Sequence, residues 1–88
     1  MAVEGGDIKA IKIQLLFFGP LADSLGHRNI EVVLEEGATV LHLIHRFQLL
    51  DALNSGLKIA INGEICENIN ILLSDSSEVA FLPPFSGG

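Results

Sequence analysis

The alternation of side chains over residues 11–18 constrains the fold of this chain more than any other feature. One set of alternating side chains is wholly apolar, which predicts the buried face of a β-strand: Ile11, Ile13, Leu15 and Phe17. The opposite set begins with two polar side chains but ends with Leu16 and Phe18. We therefore expect a sheet with one face in a core and an apolar area on its other face.

The composition indicates that the packing of apolar side chains is the main source of stability. The chain has 88 residues, of which 49% are hydrophobic, and this suffices for one domain with a dense core. One cysteine excludes a disulfide framework and a zinc site made of cysteines alone. Eleven acidic residues against five basic ones give a net charge of −6, the wrong sign for neutralising phosphates. We expect no nucleic-acid partner.

The first half of the chain predicts a strand, a short helix, a strand and a main helix. Pro20 and Gly26 bracket one helical turn, and residues 29–34 alternate as the second strand. Thr39 can cap the main helix through its hydroxyl. The apolar side chains of that helix follow helical spacing: Val40, Leu43, Ile44, Phe47 and Leu50.

The second half of the chain predicts three further strands. Residues 57–61 and 64–66 flank Asn62-Gly63, a hairpin turn signal because both residues tolerate positive φ. The last strand covers residues 78–82 and ends at two prolines, which cannot continue a ladder. The predicted class is α+β, a mixed sheet with one main helix packed on one face.

The predicted organisation is a disordered leader (1–7), one domain (8–83) and a flexible tail (84–88). No apolar run reaches the roughly 18 residues that a membrane span needs. We therefore expect a cytoplasmic protein with no membrane partner.

The sheet face away from the helix is a candidate interface. By strand phase it carries Leu16, Phe18, Ala60 and Leu82, where polar side chains are normally found. A contiguous exposed apolar patch usually marks a partner surface. The alternative is a phase error of one residue, which would exchange the two faces.

Candidate catalytic side chains are few. His42 and His45 share a predicted helix face, but no carboxylate nearby completes a metal site, so we favour a solvated pair and no metal. Cys66 has no base beside it in the sequence, which favours a structural thiol. No active site made of side chains is visible.

The end of the chain offers a different reactive group. Pro83 and Pro84 stiffen the exit from the last strand, and Gly87 and Gly88 have no side chains. A Gly-Gly end can thread a narrow channel and present an unhindered carboxylate. We therefore name Gly88 as the candidate reactive residue, with these residues as the threading segment: Pro84, Phe85, Ser86 and Gly87. An inert, floppy end is the alternative.

The ending Glu-Val-Ala-Phe-Leu-Pro-Pro-Phe-Ser-Gly-Gly at 78–88, with Leu-Phe-Phe at 16–18 and Asn62-Gly63, resembles the MoaD family. These are the small, sulfur-carrying subunits of molybdopterin synthase, related to other ubiquitin-like sulfur carriers of the ThiS type. The resemblance implies a ubiquitin-like β-grasp fold. It also implies that a ubiquitin-activating-type adenylyltransferase uses ATP and magnesium to adenylate the Gly88 carboxylate.

The resemblance implies two further steps. Sulfur from a donor protein replaces the adenylate, giving a thiocarboxylate, and the tail then enters the large subunit of a heterotetramer. There it gives its sulfur to the pterin precursor of the molybdopterin dithiolene. The carrier itself holds no permanent cofactor, and acid/base residues belong to the large subunit.

The resemblance also implies which residues contact the partners. Matched position by position, the apolar contact surface of the family corresponds to Phe18, Ile65 and Leu82. Phe85 departs from the small aliphatic residue that is common at its position in the family. Two other functions stay open: a sulfur carrier for thiamine synthesis or tRNA thiolation, and a non-catalytic β-grasp interaction module.

Overall fold

The sheet is built around two parallel central strands. In the computed structural model, which describes residues 9–84, the strands are β1 (Ala10–Phe17), β2 (Asn29–Glu35), β3 (Lys58–Ile61), β4 (Glu64–Cys66) and β5 (Ser77–Leu82). Their order across the sheet is β2-β1-β5-β3-β4. β1 pairs with β5 in parallel, and the other neighbouring strands pair antiparallel. The predicted α+β class with a mixed sheet is confirmed.

The helices are α1 (Pro20–Leu25), α2 (Val40–Arg46) and α3 (Leu50–Asn54). Among residues 9–84, no helix has the length and apolar character required to cross a membrane. The predicted leader (1–7) and most of the predicted tail (85–88) lie outside the described residues.

The core lies between the inner face of the sheet and α2. Its most deeply buried side chains come from β1, α2 and β5: Ile13, Leu15, Val40, Leu43, Ile44, Val79 and Phe81. The Phe17 ring stacks on that of Phe81, with ring centroids 5.4 Å apart, and meets the ring of Phe47 edge-on at 5.7 Å. The inward faces predicted for the first and last strands are confirmed.

The main helix is shorter than predicted, and the prediction that it continues to Leu50 is wrong. α2 ends at Arg46, and Gln48 adopts a left-handed conformation with φ 57°. The Leu49 N–H then donates to the Ile44 carbonyl at 2.8 Å. Because of this break, Leu49 takes the core position that the helical spacing assigns to Leu50. Leu49 is buried, whereas Leu50 begins α3 and is 46% exposed.

The predicted hairpin turn is confirmed and also contacts the last strand. Asn62 and Gly63 have φ of 52° and 87°, as a two-residue turn between right-twisted strands requires. The Glu78 N–H donates to Asn62 Oδ1 at 2.9 Å, and the Asn62 N–H donates to the Glu78 carbonyl at 2.8 Å. The turn therefore fixes the β3-β4 hairpin against β5.

The first turn of α2 uses a histidine as part of its cap. Thr39 occupies the N-cap position, as predicted, and its backbone N–H donates to His42 Nδ1 at 2.8 Å. The Thr39 hydroxyl oxygen lies 3.0 Å from the same nitrogen. His42 is exposed, as expected for a solvated side chain, and its ring also accepts a hydrogen bond that satisfies a free backbone donor.

We expect His42→Ala to lower the free energy of unfolding by about 1 kcal/mol, the usual contribution of a capping interaction. Urea denaturation followed by circular dichroism measures the change. The control is His45→Ala, because His45 is exposed one turn further along α2. Equal stability of the two variants would contradict the capping role.

Candidate functional site

The sheet face turned away from α2, called the outer face below, carries a row of apolar side chains across four strands. Leu16 of β1 pairs with Ala80 of β5, Ala80 pairs with Ala60 of β3, and Ala60 pairs with Ile65 of β4. Directly paired residues point to the same face of a sheet, so these four side chains lie side by side. The strand phases read from the sequence are confirmed, and the one-residue shift is excluded.

The exposure of the candidate interface residues is uneven. Ile65 is 57% exposed and Phe18 is 43% exposed, whereas Leu16 and Leu82 are half-buried. Ala60 lies on the predicted face but is only 7% exposed. Its short side chain sits within the row, so Ala60 adds little exposed apolar surface to this face.

Ala80 is a further member of this face that the sequence analysis does not identify. The alternation of β5 indicates it, because the outer positions of that strand are Glu78, Ala80 and Leu82. Two alanines in the middle of the row leave the centre of the outer face flat, while the larger Leu16 and Ile65 stand at either side. Such a surface suits close approach by a flat partner.

Charged side chains border the apolar row. Gln14 pairs with Glu31 on one side and with Glu78 on the other, which places two carboxylates along one border. Lys58 pairs with Leu82 on the opposite border. An apolar centre with a polar rim is the usual anatomy of a protein interface.

The chain leaves the domain beside two glycines. A Cβ atom on Gly19 would lie 3.4 Å from Pro83 Cγ, and one on Gly56 would lie 3.0 Å from Pro84 Cβ. Gly56 also has φ +109°, a conformation that side chains disfavour. Gly56 therefore allows Pro84 to lie closely against the domain, whereas Gly19 lies at an ordinary contact distance from Pro83. These long-range contacts were not predicted from the sequence.

Pro84 is the one predicted threading residue that the structure describes, and it is exposed. The others lie outside the described residues: Phe85, Ser86, Gly87 and the candidate reactive residue Gly88.

The remaining candidates do not form a site within residues 9–84. His42 caps α2 and His45 is exposed. The half-buried Cys66 thiol, at the end of β4, donates to the Asn68 carbonyl in the following loop at 3.3 Å. In this part of the chain, no group of three His, Cys, Asp or Glu side chains is placed to hold a metal ion.

A mixed sheet with parallel central strands, a helix across its inner face and a C-terminal strand that delivers a tail defines a ubiquitin-like β-grasp domain. The predicted β-grasp fold is confirmed by its structural neighbours. The chain belongs to the ThiS family, whose sequence model matches residues 15–88. The resemblance to the MoaD sulfur carriers is confirmed as well.

Similar proteins support the assignment to this family. The chain is 33% identical over 97 aligned residues to the molybdopterin synthase sulfur carrier subunit of Aedes aegypti, covering 91% of this chain and 92% of that protein. It is similar to the crystal structure of SAMP1 from Haloferax volcanii, with 25% identity, a TM-score of 0.70 and coverage of 88% and 99% of the two chains.

A further neighbour is a chain in the complex of subunits 1 and 2 of molybdopterin-converting factor from Helicobacter pylori 26695. The identity is 26% and the TM-score 0.64, and the match covers 89% of this chain and 100% of that chain.

We expect Gly56→Ala to destabilise the domain more than Gly37→Ala. Both glycines have positive φ, so both substitutions cost about 1 kcal/mol of backbone strain. Only the Gly56 methyl group meets another residue, and its contact with Pro84 adds about 1 kcal/mol of overpacking. Urea denaturation of both variants gives the difference, and equal losses would show that Gly56 does not seat the tail.

Proposed function

We propose that this protein is the sulfur-carrier subunit of a molybdopterin synthase and acts in the cytoplasm. The observation that carries the proposal is the 33% identity to the Aedes aegypti sulfur carrier subunit over nine tenths of both chains. The family match extends to residue 88, so it includes the Gly-Gly end.

The chemistry centres on the Gly88 carboxylate. A carboxylate is a poor electrophile, so a ubiquitin-activating-type enzyme first transfers AMP to it from ATP with release of pyrophosphate. A sulfur nucleophile then attacks the acyl carbon and displaces AMP, which leaves a thiocarboxylate in which one oxygen has been replaced by sulfur. Forming the mixed anhydride divides one difficult substitution into two easier ones.

The large subunit of the synthase would receive both the outer face and the tail. The apolar row with its polar rim is the contact surface, extended by Leu82 and Phe18 at the edge where the chain leaves the sheet. The complex of subunits 1 and 2 from Helicobacter pylori supports an assembly of this kind. Two carriers and two large subunits would form a heterotetramer in which the large subunits supply the acid/base groups.

The sulfur-transfer reaction can be tested by intact-mass spectrometry of the full chain. After incubation with an activating enzyme, ATP, magnesium and sulfide, we expect a product in which one oxygen of the chain has been replaced by sulfur. The matched control lacks Gly88 only and should fold normally but give no thiocarboxylate. A wild-type chain that stays unmodified under conditions that load a known sulfur carrier would refute the proposal.

In a second candidate function, the same activated Gly88 carboxylate serves a different acceptor. It is supported by the ThiS family match and by the similarity to SAMP1 of Haloferax volcanii. Thiamine synthesis, tRNA thiolation and attachment to another protein would all begin with the same adenylate. Mixing the loaded chain with a molybdopterin synthase large subunit and a pterin precursor separates these candidates, because only the first predicts dithiolene formation.

We expect Leu82→Asp to weaken binding to the large subunit by about 2 kcal/mol or more, because it places a charge in a desolvated apolar contact. Phe18→Asp should act in the same direction. The control is Leu72→Asp, since Leu72 is 66% exposed and lies outside the sheet. Isothermal titration calorimetry measures the dissociation constants, and circular dichroism checks that each variant is folded. Normal binding by both interface variants would exclude the outer face as the contact.

A further inference from the structure

The free edge of β2 is a long, regular stretch of backbone at one border of the sheet. Within residues 9–84, β2 and β4 are the two outermost strands. β4 has three residues, whereas β2 has seven and contains neither proline nor glycine. An outermost strand of this length and regularity can receive a further strand from another chain.

The hydrogen bonds between β1 and β2 show which backbone groups of β2 face this edge. The Glu36 N–H donates to the Lys9 carbonyl at 2.8 Å, which sets the phase of the antiparallel ladder. In such a ladder every second residue bonds to the neighbouring strand, and the residues between direct their N–H and C=O groups away from it. Val32 therefore bonds to β1, whereas Glu31 and Val33 direct their backbone groups to the free edge.

The side chains along the free edge are acidic with one apolar residue between them. Val33 is 55% exposed and lies between the exposed side chains of Glu31 and Glu35, and Glu36 follows. The residues of β1 that pair with this stretch contribute one cation, Lys12. The whole chain has a net charge of −6. Charge complementarity at this edge therefore favours a basic partner with an apolar residue between two cations.

A groove beside the same edge adds a position for one apolar side chain. Its volume is about 310 Å³, and its lining joins the end of β2 to the first turn of α2: Leu34, Glu35, Glu36, Gly37, Ala38 and His42. Leu34 is half-buried and Ala38 is buried. Alternate residues of an added strand point to opposite faces of the sheet. A residue opposite Leu34 would therefore direct its side chain toward this groove.

We propose that the free edge of β2 binds an extended, basic segment of a partner protein by strand addition. The segment pairs antiparallel with residues 31–35. Its first and fifth residues are basic and lie opposite Glu35 and Glu31, and its third is apolar and lies opposite Val33. Its second residue is apolar and faces the groove beside Leu34. A second copy of this chain is a poor partner, because it would bring two acidic edges together.

The proposed docking goes beyond the sulfur-carrier function and is independent of it, because neither Gly88 nor sulfur takes part. A chain that lacks Gly88 should therefore bind the same segment as tightly as wild type does.

A synthetic peptide tests the docking on the full-length chain. The probe is Lys-Leu-Val-Thr-Lys with blocked ends, added to isotope-labelled protein and followed by NMR. We expect saturable shifts of the Glu31 and Val33 amides and slower hydrogen exchange of both at saturation. The Val32 amide is the internal reference, because it already bonds to β1.

Two methylated peptides separate strand addition from non-specific attraction. A methyl group on the valine nitrogen removes the N–H that would donate to the Val33 carbonyl, and we expect about tenfold weaker binding. A methyl group on the threonine nitrogen is the matched control, because that N–H faces away from β2, and binding should change less than about twofold. Equal binding by the two methylated peptides would overturn strand addition.

Two double variants of the protein test the charge recognition. Glu31→Gln with Glu35→Gln should weaken binding of the unmodified peptide about fivefold, because two exposed charge pairs are lost. Glu64→Gln with Glu67→Gln changes the net charge equally at exposed positions on the other side of the sheet, so its binding should match wild type. Equal loss in the two variants would overturn recognition at this edge.

Two further results would also overturn the proposal. Without saturable shifts at Glu31 and Val33 at millimolar peptide, the glutamates would serve only to prevent pairing at the edge. Shifts of the same amides that grow with protein concentration in the absence of peptide would assign the edge to a second copy of the chain.

Discussion

The parallel pairing of β1 with β5 is the interaction on which the rest of the structure depends. Parallel neighbours cannot be joined by a tight turn, so the chain between them has to cross over a face of the sheet. α2 lies in that crossover and supplies the helical side of the core. Parallel strands also end at the same edge of the sheet. Phe18 and Pro83 therefore leave the sheet at the same edge, where Gly19 lies beside the Pro83 ring.

The two faces of the sheet have different surroundings: the inner face is covered by the core, and the outer face is in contact with water. The inner face is closed by α2 and by the stacked rings of Phe17 and Phe81. The outer face leaves Ile65 and Phe18 in water, although each would lower the free energy of the system if it were covered. A partner that covers this face gains binding free energy without disturbing the core. The fold can thus persist whether or not its outer face is covered.

Features of the fold that depend on the local alternation of side chains could be predicted from the sequence. Features that depend on contacts between distant residues could not. The phases of β1 and β5 followed from period-two patterns because one face of each strand is buried. The break at Gln48 carried no signal, since glutamine has no preference for a left-handed conformation. The contact of Gly56 with Pro84 joins residues far apart in the chain, so no local pattern reports it. The burial of Ala60 likewise depends on its neighbours in the row.

The reach of the tail limits where a partner can dock. An extended chain spans at most about 3.3–3.6 Å per residue, so the four residues after Pro84 reach roughly 13–14 Å. If Gly88 is the reacting residue, as the proposed function requires, the enzyme group that acts on it would lie within about that distance of Pro84. A partner that reacts with Gly88 would then bind close to the exit edge of the outer face, where Leu82 and Phe18 lie. Ile65, on the edge strand β4, would then stand at the periphery of the contact. Pro83 and Pro84 also have little freedom in φ, which restricts the direction in which the chain leaves the sheet.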